Sequence, residues 1–137
     1  MKDREVKCGT AIVLAHLVVN IMHGVAHREL GVELGPAAML FVAGVILLCP
    51  LLAMVLLWAS QKRLGLIILT LSMAASLVFG LYNHFAVKGP DHVGQQAPAP
   101  WGTAFVLTAY LLLFTEAIGT YIGLYFLYRR MWASKVG

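Results

Sequence analysis

The sequence predicts an all-α integral membrane protein, a four-transmembrane-helix bundle running up-down-up-down with both termini cytoplasmic. Three observations predict it. Hydrophobic residues make up 61% of the 137-residue chain, charged residues only 12%, and mean hydropathy is +0.84. A soluble domain of this length has too much surface per volume to hide that much apolar area. The apolar residues also fall into four runs, each close to the ~20 residues a helix needs to cross the hydrocarbon core. Finally, Lys and Arg gather at one set of run ends, which sets orientation by the positive-inside rule. One domain, 1–137, is expected, seated in a bacterial inner or plasma membrane.

The first span is expected over 8–27. Basic residues precede its apolar run, as in a secretory signal. However, His16, Asn20 and His23 interrupt that run and no small-residue cleavage site follows, so it reads as a retained span. The second span is expected over 36–59. It opens "GPAAML", with Pro36 at a helix start, where a missing donor does no harm. Pro50 inside it is expected to kink the helix and free a carbonyl one turn earlier. The tight connection "SQKR" leads to the third span, 64–86. The loop "VKGPDHVGQQAPAPW", rich in the Gly and Pro that stop helices, leads to the fourth, 102–128.

Short loops make sequence neighbours antiparallel. Lys2, Arg4, Lys7, Lys62, Arg63, Arg129, Arg130 and Lys135 then fall on the expected cytoplasmic side, and Arg28 and Lys88 on the other. Trp58 and Trp132 belong to one interfacial belt and Trp101 to the other. The net charge of +4 is therefore an orientation signal and does not mark a nucleic-acid partner; the bilayer is the expected one. Small residues are expected at helix contacts. Span three offers Ser76 and Gly80, and span four offers Gly119 and Gly123, a GxxxG pair and a candidate homodimer face. Cys8 and Cys49 differ in expected depth by about 16 Å at 1.5 Å per residue, too far for a disulfide. Tyr82, Tyr110, Tyr121, Tyr125 and Tyr128 read as belt and packing residues, with Tyr82 and Asn83 flanking His84.

The stretch "VVNIMHGVAHREL" breaks the apolar rule. At 100° per residue, His16, Asn20, His23 and His27 fall within an arc of about 60°, one narrow stripe on the first span. Polar side chains facing lipid are costly, so the stripe is expected to face the bundle interior or a polar cavity. His23 and His27 lie near its outer end. The third span runs the same way and brings His84, in "LYNHF", to a similar level. The following loop adds Asp91 and His92 in "GPDHV".

HxxxH places two imidazoles on one helix face, where they can share a metal. His23, His27, His84, Asp91 and His92 are thus the candidate ligands of a transition metal ion, zinc, copper or iron. Glu116, about 14 residues into span four, is expected at the depth of His16. A carboxyl at mid-bilayer costs about 2.5–3.5 kcal/mol, so it needs a partner. Glu116, His16 and Asn20 are the candidate catalytic, proton-handling residues at the floor of a polar shaft.

The leading expectation is a metal site of a membrane-embedded enzyme, open to the extracytoplasmic side, acting on a small molecule or a lipid headgroup. The alternatives are a b-type haem electron carrier ligated by His84 with His23 or His27, a small proton-coupled transporter, and an accessory subunit with structural histidines. A di-metal desaturase-like site needs several histidine boxes and is excluded by five histidines in all. No phosphate loop, nucleophile elbow or CxxC pair is present.

Overall fold

A computed structural model describes residues 2–136, with side chains from 4 to 133. Lys2 and Lys135, counted above among the orienting charges, have side chains outside the described residues. All regular structure among the described residues is helical. Helix α1 covers Lys2–Glu29. Helix α2, Pro36–Phe41, continues through a π-helical turn, Val42–Leu48, into α3, Cys49–Trp58. Helix α4, Lys62–Gly80, continues through a second π-helical turn, Leu81–Ala86. After the short 3-10 turn Val93–Gln95, α5 runs over Pro100–Val136. Four of these stretches are long and apolar enough to cross a membrane: Arg4–Glu29, Pro36–Trp58, Lys62–Ala86 and Pro100–Ala133.

The first and last helices outrun the expected spans because their polar ends keep helical geometry. Gly31, at φ 64°, ends α1 in the left-handed conformation that glycine adopts at no steric cost. At Pro50, where a kink is expected, span two stays helical but loses regular α-helical register just before it. The proline occupies the first turn of α3, and the π-turn before it absorbs the missing donor, a common fate of irregular helix register.

Helix α5 packs along both α1 and α4, and α4 also packs along α3. Span two is the peripheral one. Its Cys49–Trp58 half meets α1 and α4, whereas its Pro36–Leu48 half leans on α4 without comparable packing on α1 or α5. The core sits mid-bundle, where Val13, Ala53, Leu69 and Met73 pack with Leu51, Met54 and Ile68. Packing within a bilayer gains little from the hydrophobic effect and depends on close approach. Gly119 and Gly123 supply it: both are buried, a Cβ on Gly119 would lie 2.8 Å from Met73 Cγ, and one on Gly123 would lie 3.2 Å from Thr70 Cα. The face expected to serve a homodimer is therefore occupied inside the chain, by α4.

At one end of the bundle, Arg130 clamps Glu5 through both carboxylate oxygens, with the Nε–Oε2 bond at 2.8 Å. Lys62 Nζ lies 3.8 Å from the same carboxylate. Three helices are tied there by charge. The histidines lie at the other end. Cys8 and Cys49 are both free thiols.

Candidate metal centre

The stripe on α1 turns inward: His16 and His23 are buried, Asn20 and His27 half-buried. The Leu81–Ala86 π-turn carries His84 into the same interior, where it is also buried. π-turns inside helices frequently mark functional sites because the extra residue re-aims a side chain. One ring nitrogen from each of His23, His27 and His84 lies within 4.8 Å of one from each of the others. His23 Nε2 and His84 Nε2 are 3.2 Å apart. Two nitrogens bound tetrahedrally to one ion at 2.0–2.1 Å stand about 3.4 Å apart, so this spacing suits a shared metal.

The outer partners fix which nitrogens are free. The Thr108 hydroxyl donates its proton to the backbone, 2.7 Å from Ala104 O, and so must accept from His23 Nδ1 at 2.8 Å. His27 Nδ1 donates to Val32 O at 3.3 Å, and His84 Nδ1 donates to Asp91 O at 3.0 Å. All three Nδ1 atoms are thus committed as donors to oxygen. A neutral imidazole then presents Nε2 as a lone pair. The His23 and His84 lone pairs face each other, an arrangement that calls for a cation or a shared proton between them.

Asp91 sits at the rim. Its Oδ1 lies 3.1 Å from His27 Nε2 and 3.3 Å from His84 Nδ1, yet it is buried and makes no hydrogen bond of acceptable geometry. Close approach without alignment makes these contacts electrostatic. Burial pushes the Asp91 carboxyl up, but His84 and His27 outweigh it and hold the group below its ordinary range. Asp91 does not join the mutual set of ligand atoms, which among the described residues is the three histidines. The Asp91 backbone carbonyl, which accepts from Nδ1, orients the His84 imidazole, and the carboxylate adds negative charge beside it.

His92, expected as a ligand, is engaged elsewhere. Its Nε2 donates to Phe85 O at 3.2 Å and its Nδ1 accepts from Gly94 N at 3.0 Å, so both nitrogens pin the loop. Tyr82 is exposed and Asn83 bonds back to Phe79 O; neither reaches the cluster.

Phe105 was not anticipated. It is fully buried, with its ring centroid 4.7, 4.9 and 5.5 Å from those of His23, His27 and His84, and it forms an apolar backing for all three. Thr108 was likewise missed. Helical arithmetic could have found both, because eleven and eight residues before Glu116 fall about 20° and 80° from it around the helix.

Beneath the histidines, a cavity of about 550 Å³ runs down to Glu116, with Asn20, Ser76 and Gly80 on its walls. Asn20 Nδ2 bonds both His16 O, at 3.1 Å, and His16 Nε2, at 2.9 Å. The carbonyl fixes the amide orientation, so His16 Nε2 is an acceptor. Glu116 Oε1, 3.4 Å from that same nitrogen, can bond it only as a protonated carboxyl. Its other oxygen, Oε2, is buried without a partner. A Cβ on Gly80 would be 3.7 Å from Glu116 Oε2 and 3.9 Å from His84 Cδ2. The carboxyl and the imidazole are therefore neighbours across a single glycine. His16, Asn20 and Glu116 form a connected group beside the three-histidine cluster. Comparison with protein families, curated proteins and solved structures finds no match to this chain.

Proposed function

We propose that this chain is a membrane-embedded enzyme built on a three-histidine transition-metal centre, with His23, His27 and His84 as ligands. The observation that carries this reading is the commitment of all three Nδ1 atoms to oxygen acceptors, which leaves the His23 and His84 Nε2 lone pairs facing each other at 3.2 Å with a His27 ring nitrogen within 4.8 Å of one nitrogen of each. Nitrogen ligands suit zinc, copper or iron. Three protein ligands with a fourth position facing a cavity is the catalytic rather than the structural pattern. Asp91 orients His84 and balances the charge of the ion. Bound there, the ion supplies a Lewis acid that polarises a substrate oxygen. Glu116 takes a proton from the substrate at its free Oε2 as its Oε1 proton passes to His16 Nε2, and Asn20 holds that imidazole in position.

The helices run up-down-up-down with cytoplasmic termini, and the site opens toward the extracytoplasmic side of a bacterial inner or plasma membrane. Supporting this are the basic residues around Glu5 and Arg130 at the end opposite the histidines. A b-type haem fits less well. Its axial ligands approach from opposite faces of the macrocycle, whereas the His23 ring lies 4.8 Å from both His27 and His84, with Phe105 filling the remaining side.

Elemental analysis of protein purified without a histidine tag tests the reading. One transition-metal ion per chain is expected, lost in His23→Ala and His84→Ala and kept in His92→Ala. A metal-free wild-type protein, or equal loss in His92→Ala, would contradict it.

A further inference from the structure

The cavity has a polar end and an apolar wall. The histidines, Asp91 and Glu116 supply the first; Val42, Ile46, Phe79, Leu112 and Leu113 supply the second. Its loop side, lined by the exposed Arg28 and Glu33, is held by hydrogen bonds. Val32 O holds His27, Asp91 O holds His84, and His92 is anchored to Phe85 O. Its lateral side is not. Helix α1 makes little contact with the Pro36–Leu48 half of span two, yet both line the cavity, which leaves a gap between two apolar helices of membrane-crossing length. Gly24 stands at that gap on α1, where an added Cβ would meet no atom within 4 Å, and Met39 stands at it on α2, exposed. At about 550 Å³ the cavity falls within the roughly 300–1,000 Å³ of sites that hold one drug-sized ligand, which suits one alkyl chain with a small head.

We propose that the substrate is a single-chain membrane amphiphile that enters sideways from the bilayer between α1 and the Pro36–Leu48 half of span two. Its alkyl chain lies along Val42, Ile46, Phe79 and Leu113. Its oxygen-bearing head lies between the histidines and Glu116, whose unpartnered, buried Oε2 accepts a hydrogen bond from it. The placement of the head rests on the metal reading above; the route and the chain site do not.

The probe is hexadecanol carrying a mid-chain diazirine, held in phosphatidylcholine nanodiscs with the full-length protein, photolysed and mapped by peptide mass spectrometry. Adducts are expected on Ile46, Phe79 or Leu113. In Gly24→Trp they should fall about tenfold, the affinity carried by roughly two seated methylene groups, while adducts on outward-facing Leu48 and Val78 stay unchanged. Those unchanged adducts report that the variant is folded, and Met39→Trp, on the opposite edge of the gap, should act the same way. Adducts confined to Leu48 and Val78, or cavity adducts undiminished in both variants, would overturn the proposal. Cobalt(II) loading, followed separately by its visible bands, tests the metal reading. If those bands never form, the metal reading fails and the labelling still decides the route.

Discussion

Replacing Thr108 with valine removes a single hydroxyl that touches no metal, and the geometry predicts that metal affinity falls with it. The two side chains are nearly the same shape, so packing against Phe105 and the histidines is kept. What is lost is the acceptor 2.8 Å from His23 Nδ1. A buried N–H left without a partner costs about 1–3 kcal/mol. The cheapest escape is the other tautomer, in which Nε2–H of His23 bonds Nε2 of His84 across 3.2 Å. That bond consumes both lone pairs meant for the ion. Outer-shell losses of this kind lower metal affinity about 10–100-fold, or about 1.4–2.7 kcal/mol. Competition against a chromophoric chelator at neutral pH, in the same detergent for every variant, measures it. Thr108→Ser should restore binding. Thr115→Val, which removes a hydroxyl bonded only to the backbone of its own helix, should change nothing. Affinity of Thr108→Val within about twofold of wild type would refute the tautomer argument.

Gly123→Leu, by overpacking α5 against Thr70, should destabilise the bundle by about 1–3 kcal/mol in denaturant titration, whereas Gly24→Ala should be neutral or slightly stabilising because its Cβ meets open space. Arg130→Leu leaves the buried Glu5 carboxylate with Lys62 as its one remaining cation among the described residues; a loss of about 1–2 kcal/mol is expected, discounted because the Arg130 side chain is 37% exposed, and Glu5→Gln in the same background should recover part of it. Asp91 is held below its ordinary value of 3.8, so its contribution to stability is complete above that pH and disappears as pH falls through the lower folded value. Amide exchange of the 87–96 loop in the metal-free protein should speed up over that acid window in wild type, and Asp91→Asn should remove the dependence.

The legible part of this molecule was written in depth and periodicity. Four apolar runs separated by Gly, Pro and charge can hardly form anything but membrane-length helices, and the π-turn at Pro50 shifted no boundary by more than a residue or two. The meeting of His23, His27 and His84 was readable because one helix face carries two of them and the third span brings the other to the same level. The Glu116–His16 contact was readable for the same reason. What failed was chemistry that depends on direction. His92 sits beside Asp91 in sequence, yet its backbone turns the ring onto Phe85 O, and a loop residue has no periodicity from which to foresee that. Gly119 and Gly123 announced a close helix contact but not which helix, since the same motif serves a neighbouring span or a second copy. Thr108 and Phe105 looked like ordinary span residues until the imidazoles beside them were in place.

X-ray absorption at the edge of the bound metal, on tag-free protein, is the most direct test that three imidazoles hold one ion. The geometry predicts a shell with about three nitrogens at 2.0–2.1 Å and imidazole outer-shell scattering. A shell dominated by sulfur near 2.3 Å, as Cys8 or Cys49 would give, or an imidazole signal that survives replacement of both His23 and His84, would contradict it.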